Sequence, residues 1–220
     1  MDAHFWHERW ESNTIGFHEG KPNELLATHF DTLAVPQGGR VFVPLCGKTR
    51  DIHWLLSQGY RVAGAELSER AVVQLFQELG FEPGIDVRGA TTHYYAENLD
   101  VYVGDIFDLS PEILGRVDAI YDRAALVALP EAMRKAYRAH LHTLCGSAPQ
   151  LLLTLEYEAG LIPGPPFSIA EEEVHGHYGS AYAVRAIESQ YVPDGLQGKY
   201  PVTERAWILD RKMERIDSIS

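Results

Sequence analysis

The stretch that decides the fold is Arg40–Val41–Phe42–Val43–Pro44–Leu45–Cys46–Gly47–Lys48, followed by Gly64–Ala65–Glu66–Leu67–Ser68. Gly38 and Gly39 end a polar connection, and the run from Arg40 to Leu45 then reads as a buried first strand. Asp51 to Gln58 has helical spacing and is stopped by Gly59. Tyr60 to Ala65 is a second strand ending at Glu66, and Ser68 is placed to cap a helix that runs to Leu79 before Gly80. Strand, helix, strand, helix is the unit of a parallel sheet covered by helices on both faces.

Outward from that unit the same alternation continues. Phe81 to Glu97 reads as a looser connection, and Leu99 to Val103 as a third strand closed by Gly104. Val117 to Tyr121 is a fourth strand. Pro130 stands where a first helical position is expected, and Met133, Tyr137, Leu141 and Leu144 give Glu131 to Leu144 an amphipathic period. Gln150 to Leu155 is the most apolar strand, Gly160 to Pro166 is a loop, and Glu171 to His177 is a short helix. Ala181 to Ile187 and Thr203 to Leu209 read as two final strands, the last alternating and antiparallel. The expected fold is α/β, a Rossmann-like doubly wound sheet, mostly parallel with an antiparallel last strand. With no repeat, low-complexity tract or linker, residues 1–220 read as a single domain, with 1–36 as an N-terminal lid or helical extension.

A chain of 220 residues with 45% hydrophobic and 23% charged residues has enough apolar side chains for one sizeable core. A net charge of −12 argues against a nucleic-acid partner, because phosphate neutralisation needs clustered Lys and Arg. Cys46 and Cys145 cannot build a disulfide framework, which favours a reducing, cytoplasmic setting. The first ten residues lack the apolar run of a secretory signal, and no stretch approaches the roughly 20 apolar residues of a membrane helix. The reading is a cytoplasmic monomer acting on a small molecule.

Sheets of this kind bind ligands beyond the carboxyl ends of their strands. After the first strand comes Leu45–Cys46–Gly47, where a glycine lets backbone approach a ligand or simply makes a turn. After the second comes Glu66, about twenty residues beyond the loop, the spacing at which an acid meets a ribose hydroxyl pair. Alone, Glu66 reads equally as a solvated helix-capping acid. Asp105 and Ile106 after the third strand are placed to meet an adenine, or to form a turn. Asp122 and Arg123 after the fourth put a permanent cation at the crevice, or an ordinary ion pair. There is no G-x-G-x-x-G and no evident cradle for a pyrophosphate, so a cofactor with adenosine and no phosphate, S-adenosylmethionine, fits better than a dinucleotide.

Phe5, Trp6, Trp10 and Phe17 punctuate a polar N-terminal segment. They read as a lid whose aromatic faces attract a sulfonium, or as a helix packed on the core. Gly164–Pro165–Pro166–Phe167 reads as a stiff loop presenting Phe167 on the acceptor side. His175 and His177, two apart, would face opposite sides of a strand and have no third ligand, so no metal site is expected. Cys46 has no base beside it by motif and reads as a buried thiol rather than a nucleophile.

These residues together carry a resemblance. Phe5–Trp6 with Trp10, Val43–Pro44–Leu45–Cys46–Gly47–Lys48, Gly64–Ala65–Glu66–Leu67–Ser68, Asp105–Ile106–Phe107–Asp108–Leu109, Tyr121–Asp122–Arg123–Ala124–Ala125–Leu126 and Gly164–Pro165–Pro166–Phe167 closely resemble the thiopurine S-methyltransferases in their short bacterial form, from about Phe5 to Leu209. The resemblance implies a class I methyltransferase fold in which Trp10, Leu45, Glu66 and Arg123 contact S-adenosyl-L-methionine, with Asp105 and Ile106 near its adenine. It further implies that Arg123 faces the acceptor; Arg123 is read as the catalytic cation, and Phe17 and Phe167 as substrate-binding residues on the acceptor side. The family's second arginine has no counterpart at Gly195 to Tyr200, which offers Lys199; Arg205 lies further on.

Methyl transfer to sulfur is an in-line displacement that needs register and dryness more than a catalytic triad. A cation such as Arg123 would favour a heterocyclic thiolate. The expected reaction is therefore transfer from S-adenosyl-L-methionine to a small aromatic or heterocyclic thiol, leaving S-adenosyl-L-homocysteine. Tellurium or selenium species are an alternative chalcogen acceptor. A nicotinamide-dependent reductase and a non-enzymatic nucleotide-binding module are the competing readings from other classes.

Overall fold

The computed structural model describes residues 3–16, 18–123, 125–158, 160–192, 195–196 and 198–212. Nine strands are described: β1 (Arg40–Pro44), β2 (Arg61–Glu66), β3 (Gly84–Arg88), β4 (Thr91–Ala96), β5 (Leu99–Val103), β6 (Ala119–Asp122), β7 (Gln150–Glu156), β8 (Tyr182–Tyr191) and β9 (Thr203–Arg211). They form one sheet in the order β3-β4-β5-β2-β1-β6-β7-β9-β8. The five central strands are parallel, and β9 lies antiparallel between β7 and β8. Strand order reverses between β1 and β6, so the carboxyl ends of those two strands flank the crevice where such sheets bind ligands.

Alternation along β1 explains why the sheet is covered twice. Val41 and Val43 belong to one core with Leu25, Leu26, Phe30, Ile52, Leu55 and Leu75. Phe42 belongs to the other, with Leu126, Tyr137, Leu141, Val174 and Trp207. Each fully buried side chain of this size stabilises by about 1.5–3 kcal/mol, more than the roughly 1 kcal/mol that strand propensities span. The helices over the first face are α2 (Glu24–His29), α3 (Arg50–Ser57) and α4 (Glu69–Leu79), preceded by α1 (Ala3–Glu11). Those over the second include α7 (Glu131–Cys145) and α8 (Glu171–Tyr178), with the one-turn helices α5 (Pro111–Leu114) and α6 (Ala125–Ala128).

The helix ends follow local chemistry. Ser68 Oγ accepts the Ala71 N–H at 3.4 Å, and Gly80 closes α4 at φ 73°. Thr49 caps α3. Pro130 is the residue before α7 rather than its first helical position, one place earlier than its sequence context indicates.

The stretch read as a loose connection, Phe81 to Glu97, is instead the antiparallel hairpin β3–β4. Arg88 pairs with Thr91 around Gly89–Ala90, with Gly89 at φ 62°, a two-residue turn of the Gly-X kind. No apolar alternation announces it, because Ile85 and Val87 face solvent and the buried positions of β4 mix Thr91 and His93 with Tyr94. His93 there sits 3.1 Å from Asp86 and 2.8 Å from Asp100, stacked between Tyr95 and Tyr102.

Candidate functional site

The crevice is assembled by the loop after β1. Leu45 takes a left-handed conformation, φ 49°, a genuine outlier for a bulky residue. Holding it there costs on the order of 1–3 kcal/mol. Neighbouring bonds hold it: the Cys46 N–H donates to Ala65 O at 3.0 Å, and the Thr49 N–H donates to Cys46 O at 3.2 Å. Gly64 opposite leaves room for the loop, since a Cβ at that position would lie 2.8 Å from Cys46 Sγ.

Glu66 closes the loop from β2. Its Oε2 accepts the Gly47 N–H at 2.7 Å and its Oε1 accepts the Ser68 N–H at 2.8 Å. Burial pushes this carboxyl above its usual range, against the opposite pull of the Ser68, Gly47 and Leu67 N–H groups. A carboxylate has about four lone-pair positions, so the backbone N–H groups leave capacity for a ligand hydroxyl.

Leu45, Ala65, Glu66, Leu67, Gly104, Asp105, Ile106, Phe107, Leu129 and Met133, with Ala3 from α1, line a cleft of about 420 Å³ counted to its open mouth. Asp105 Oδ1 caps the 3-10 turn Ile106–Asp108 by accepting the Phe107 N–H at 3.0 Å. His140 Nε2 lies 2.7 Å from Ile106 O and fixes the other side of that turn. Glu66 and Asp105 are the charged residues on the wall, and both are acidic. Lys48 turns away to Glu78 at 2.7 Å. An acidic cleft with an apolar floor suits an adenosine carrying a sulfonium and an ammonium, and repels a pyrophosphate.

Trp10 lies beside this cleft. It is buried at the end of α1 against Gly47, where a Cβ would come within 3.0 Å of its ring. Gly47 has φ 52°, so conformation and close approach both require glycine.

Arg123 stands elsewhere. It lines a second, smaller hollow with Val43, Pro44, Cys46, Thr49, Asp51 and Tyr121. The two cavities lie on either side of one loop: Leu45 faces the first, Pro44 and Cys46 the second. Arg123 pairs with Glu19 and lies 3.5 Å from Asp51. The Tyr121 hydroxyl donates to Asp51 at 3.0 Å. Burial works against the guanidinium charge, but Tyr121, Asp51, Glu19 and Glu204 outweigh it and raise its pKa. Asp122 turns inward, accepting the Ala125 N–H at 3.1 Å and the Tyr137 hydroxyl at 2.7 Å; burial raises it to about 6.

Phe167 lines neither cavity; its N–H donates to Val127 O at 2.6 Å and its ring lies 5.4 Å from the Arg134 guanidinium. Phe17 lies outside the described residues. Arg205 pairs with Glu156 at 2.7 Å, and Lys199 lies over the Tyr200 ring. His175 and His177 sit on α8, not a strand, facing Glu171 and Glu173 one turn earlier. Among the described residues no group of three or more His, Cys, Asp or Glu could hold a metal ion. Cys46 is buried with its thiol pushed well up, mainly by desolvation and then by Glu66, which leaves it inert. Asp51, Glu19 and Leu129 were not singled out from sequence; Asp51 read simply as the start of a helix.

Among solved structures, the fold matches the 1,6-didemethyltoxoflavin-N1-methyltransferase of Burkholderia thailandensis with bound S-adenosylhomocysteine, at a TM-score of 0.65 and 17% identity over 94% of this chain and 87% of that one. It also matches the magnesium protoporphyrin IX methyltransferase of Synechocystis with a TM-score of 0.60 and 16% identity, covering 94% and 99% of the two chains. Sheet order and crevice together define a class I S-adenosylmethionine-dependent methyltransferase. The family model for thiopurine S-methyltransferase matches residues 1–212. A protein of Xanthobacter autotrophicus named thiopurine S-methyltransferase is 54% identical over 212 residues, covering 96% of this chain and 100% of that one. A Gluconobacter oxydans protein of the same name is 47% identical over 94% of each chain. The chain belongs to the thiopurine S-methyltransferase family. It is an enzyme that takes a methyl group from S-adenosyl-L-methionine and passes it to a small-molecule acceptor. Among the described residues no helix is long and apolar enough to cross a membrane.

Proposed function

We propose that the acceptor is the sulfur of a small aromatic or heterocyclic thiol of the thiopurine type. The observation that carries this reading is the position of Arg123, a partly buried cation one loop-width from the first cleft, beside Pro44 and Cys46. The names of the relatives support the same acceptor.

In this reading Glu66 takes the ribose hydroxyls, Asp105 and Ile106 flank the adenine, and Leu45 and Trp10 bound the methionine end. S-adenosyl-L-methionine supplies an electrophilic methyl on a sulfonium. The bond from acceptor sulfur to that methyl forms as the sulfonium bond breaks, its electron pair staying with the departing thioether. Arg123 holds the acceptor as its thiolate, the thiol proton having gone to solvent, and α1 keeps water from the cleft. Residues 1–220 then act as one cytoplasmic, monomeric catalytic domain, which the single sheet and the free cysteines favour.

The test is product analysis by mass spectrometry with 6-mercaptopurine, thiophenol, phenol and aniline. S-methyl products alone are expected. Arg123→Ala should lower kcat/KM on thiols by about 10- to 100-fold, the scale of one charge-assisted hydrogen bond. Methylation confined to phenol or aniline, or undiminished turnover in Arg123→Ala, would sink the reading.

A further inference from the structure

Arg123 faces more negative charge than it can balance. Glu19 and Asp51 both pair with it, and Glu204 adds to the field. The three carboxylates are held very differently. Asp51 is buried, and it also accepts the Asn23 N–H at 2.8 Å and the Tyr121 hydroxyl at 3.0 Å. Glu204 is buried and accepts from Asn23 Nδ2 at 3.2 Å and Gln190 Nε2 at 3.1 Å. Glu19 is exposed, and the partner the structure shows for it is Arg123.

Its place in the chain makes Glu19 replaceable. It belongs to the connection before α2, and the anchor of that connection is Asn23, whose Oδ1 caps α2 by accepting the Leu25 N–H at 2.9 Å. Displacing Asp51 would strip a buried carboxylate of its cation, which is strongly unfavourable. Displacing Glu19 returns an exposed carboxylate to water at little cost. Asp51 therefore stays, and the face of the guanidinium now covered by Glu19 is the one that opens.

We propose that Glu19 is a built-in counter-ion that covers the acceptor-side cation until an anionic sulfur nucleophile displaces it, and so sets the KM of acceptors that arrive ionised. A neutral thiol cannot compete with a carboxylate for a guanidinium, whereas a thiolate can. Glu19 thus competes with acceptors that arrive already ionised and leaves neutral ones little affected. The same contact keeps Arg123 compensated between turnovers. The proposal rests on Arg123 being the acceptor-side cation.

Steady-state kinetics of Glu19→Gln and Glu19→Asp test it with two acceptors: 4-nitrothiophenol, a thiolate at neutral pH, and benzyl mercaptan, which stays largely protonated. Titration with S-adenosyl-L-homocysteine serves as the folding control. In Glu19→Gln the KM for 4-nitrothiophenol should fall about two- to fivefold, the scale of one exposed ion pair, while that for benzyl mercaptan moves far less. Glu19→Asp, which keeps the charge, should preserve the wild-type ranking. An unchanged or higher KM for the thiolate would overturn the proposal. So would a fall in kcat for both acceptors, which would make Glu19 a proton acceptor, or a loss of S-adenosyl-L-homocysteine binding, which would make it structural. Wild-type enzyme inactive on both thiols would instead overturn the acceptor reading, and this proposal with it.

Discussion

Glu66 Oε2 accepts the Gly47 N–H at 2.7 Å, so the acid after the second strand and the glycine after the first are directly joined. One carboxylate therefore shapes the loop and offers its free lone pairs to the cleft. Glu66→Ala leaves the N–H groups of Gly47 and Ser68 without their acceptor, each worth about 1–3 kcal/mol when buried. The expected outcome is a lower melting temperature and at least a tenfold weaker S-adenosyl-L-homocysteine affinity, by isothermal titration. Affinity equal to wild type would show that the cofactor does not use Glu66.

Gly47 has no room for a side chain beneath Trp10. Gly47→Ala should lift Trp10 from the loop, with a red shift in tryptophan emission and loss of the cofactor-induced fluorescence change. An emission spectrum identical to wild type, with normal cofactor affinity, would refute this packing.

Gly64 and Cys46 fit each other in the same way on the far side of the loop. Gly64→Ala should destabilise by about 1–3 kcal/mol through overpacking, and Cys46→Ala should recover part of that loss in the double mutant. Additive effects in urea denaturation would count against the contact.

Asp122 gives a pH dependence with a definite sign. Burial raises its folded pKa from 3.8 to about 6, so between those values the native state holds more protons than the unfolded chain. Its contribution is fully present below about pH 4 and is lost as pH rises through 6, by about 3 kcal/mol at most. The unfolding free energy of wild type relative to Asp122→Asn should fall across that window. Parallel curves from pH 4 to 7 would mean Asp122 titrates normally.

The parallel half of the fold was legible because β1 and β2 are buried on both faces and therefore read as continuous apolar runs between glycines. The β3–β4 hairpin was not, since Ile85 and Val87 of β3 are exposed and the buried positions of β4 are Thr91, His93 and Tyr94. In the site, the strand-end rule led to Glu66, Asp105 and Ile106 and the family resemblance to Leu45, and all four line one cleft. Arg123 follows the same rule, yet its long side chain reaches a different cavity, drawn by Asp51 and Glu19. Those partners lie 72 and 104 positions away in the chain, and no local pattern announces a charge pairing over such separations.

The place of β9 has a consequence for synthesis. This strand pairs with β7 on one side and β8 on the other, although it follows both in the chain. While the chain is growing on the ribosome, β8 thus has no neighbour and β7 keeps an open edge until Thr203 to Arg211 emerges. The cleft at the ends of β1, β2 and β5 has all its lining residues by then. A nascent chain should therefore acquire its ligand site before one flank of its sheet is sealed, and in that interval its exposed strand edge is a natural target for a chaperone.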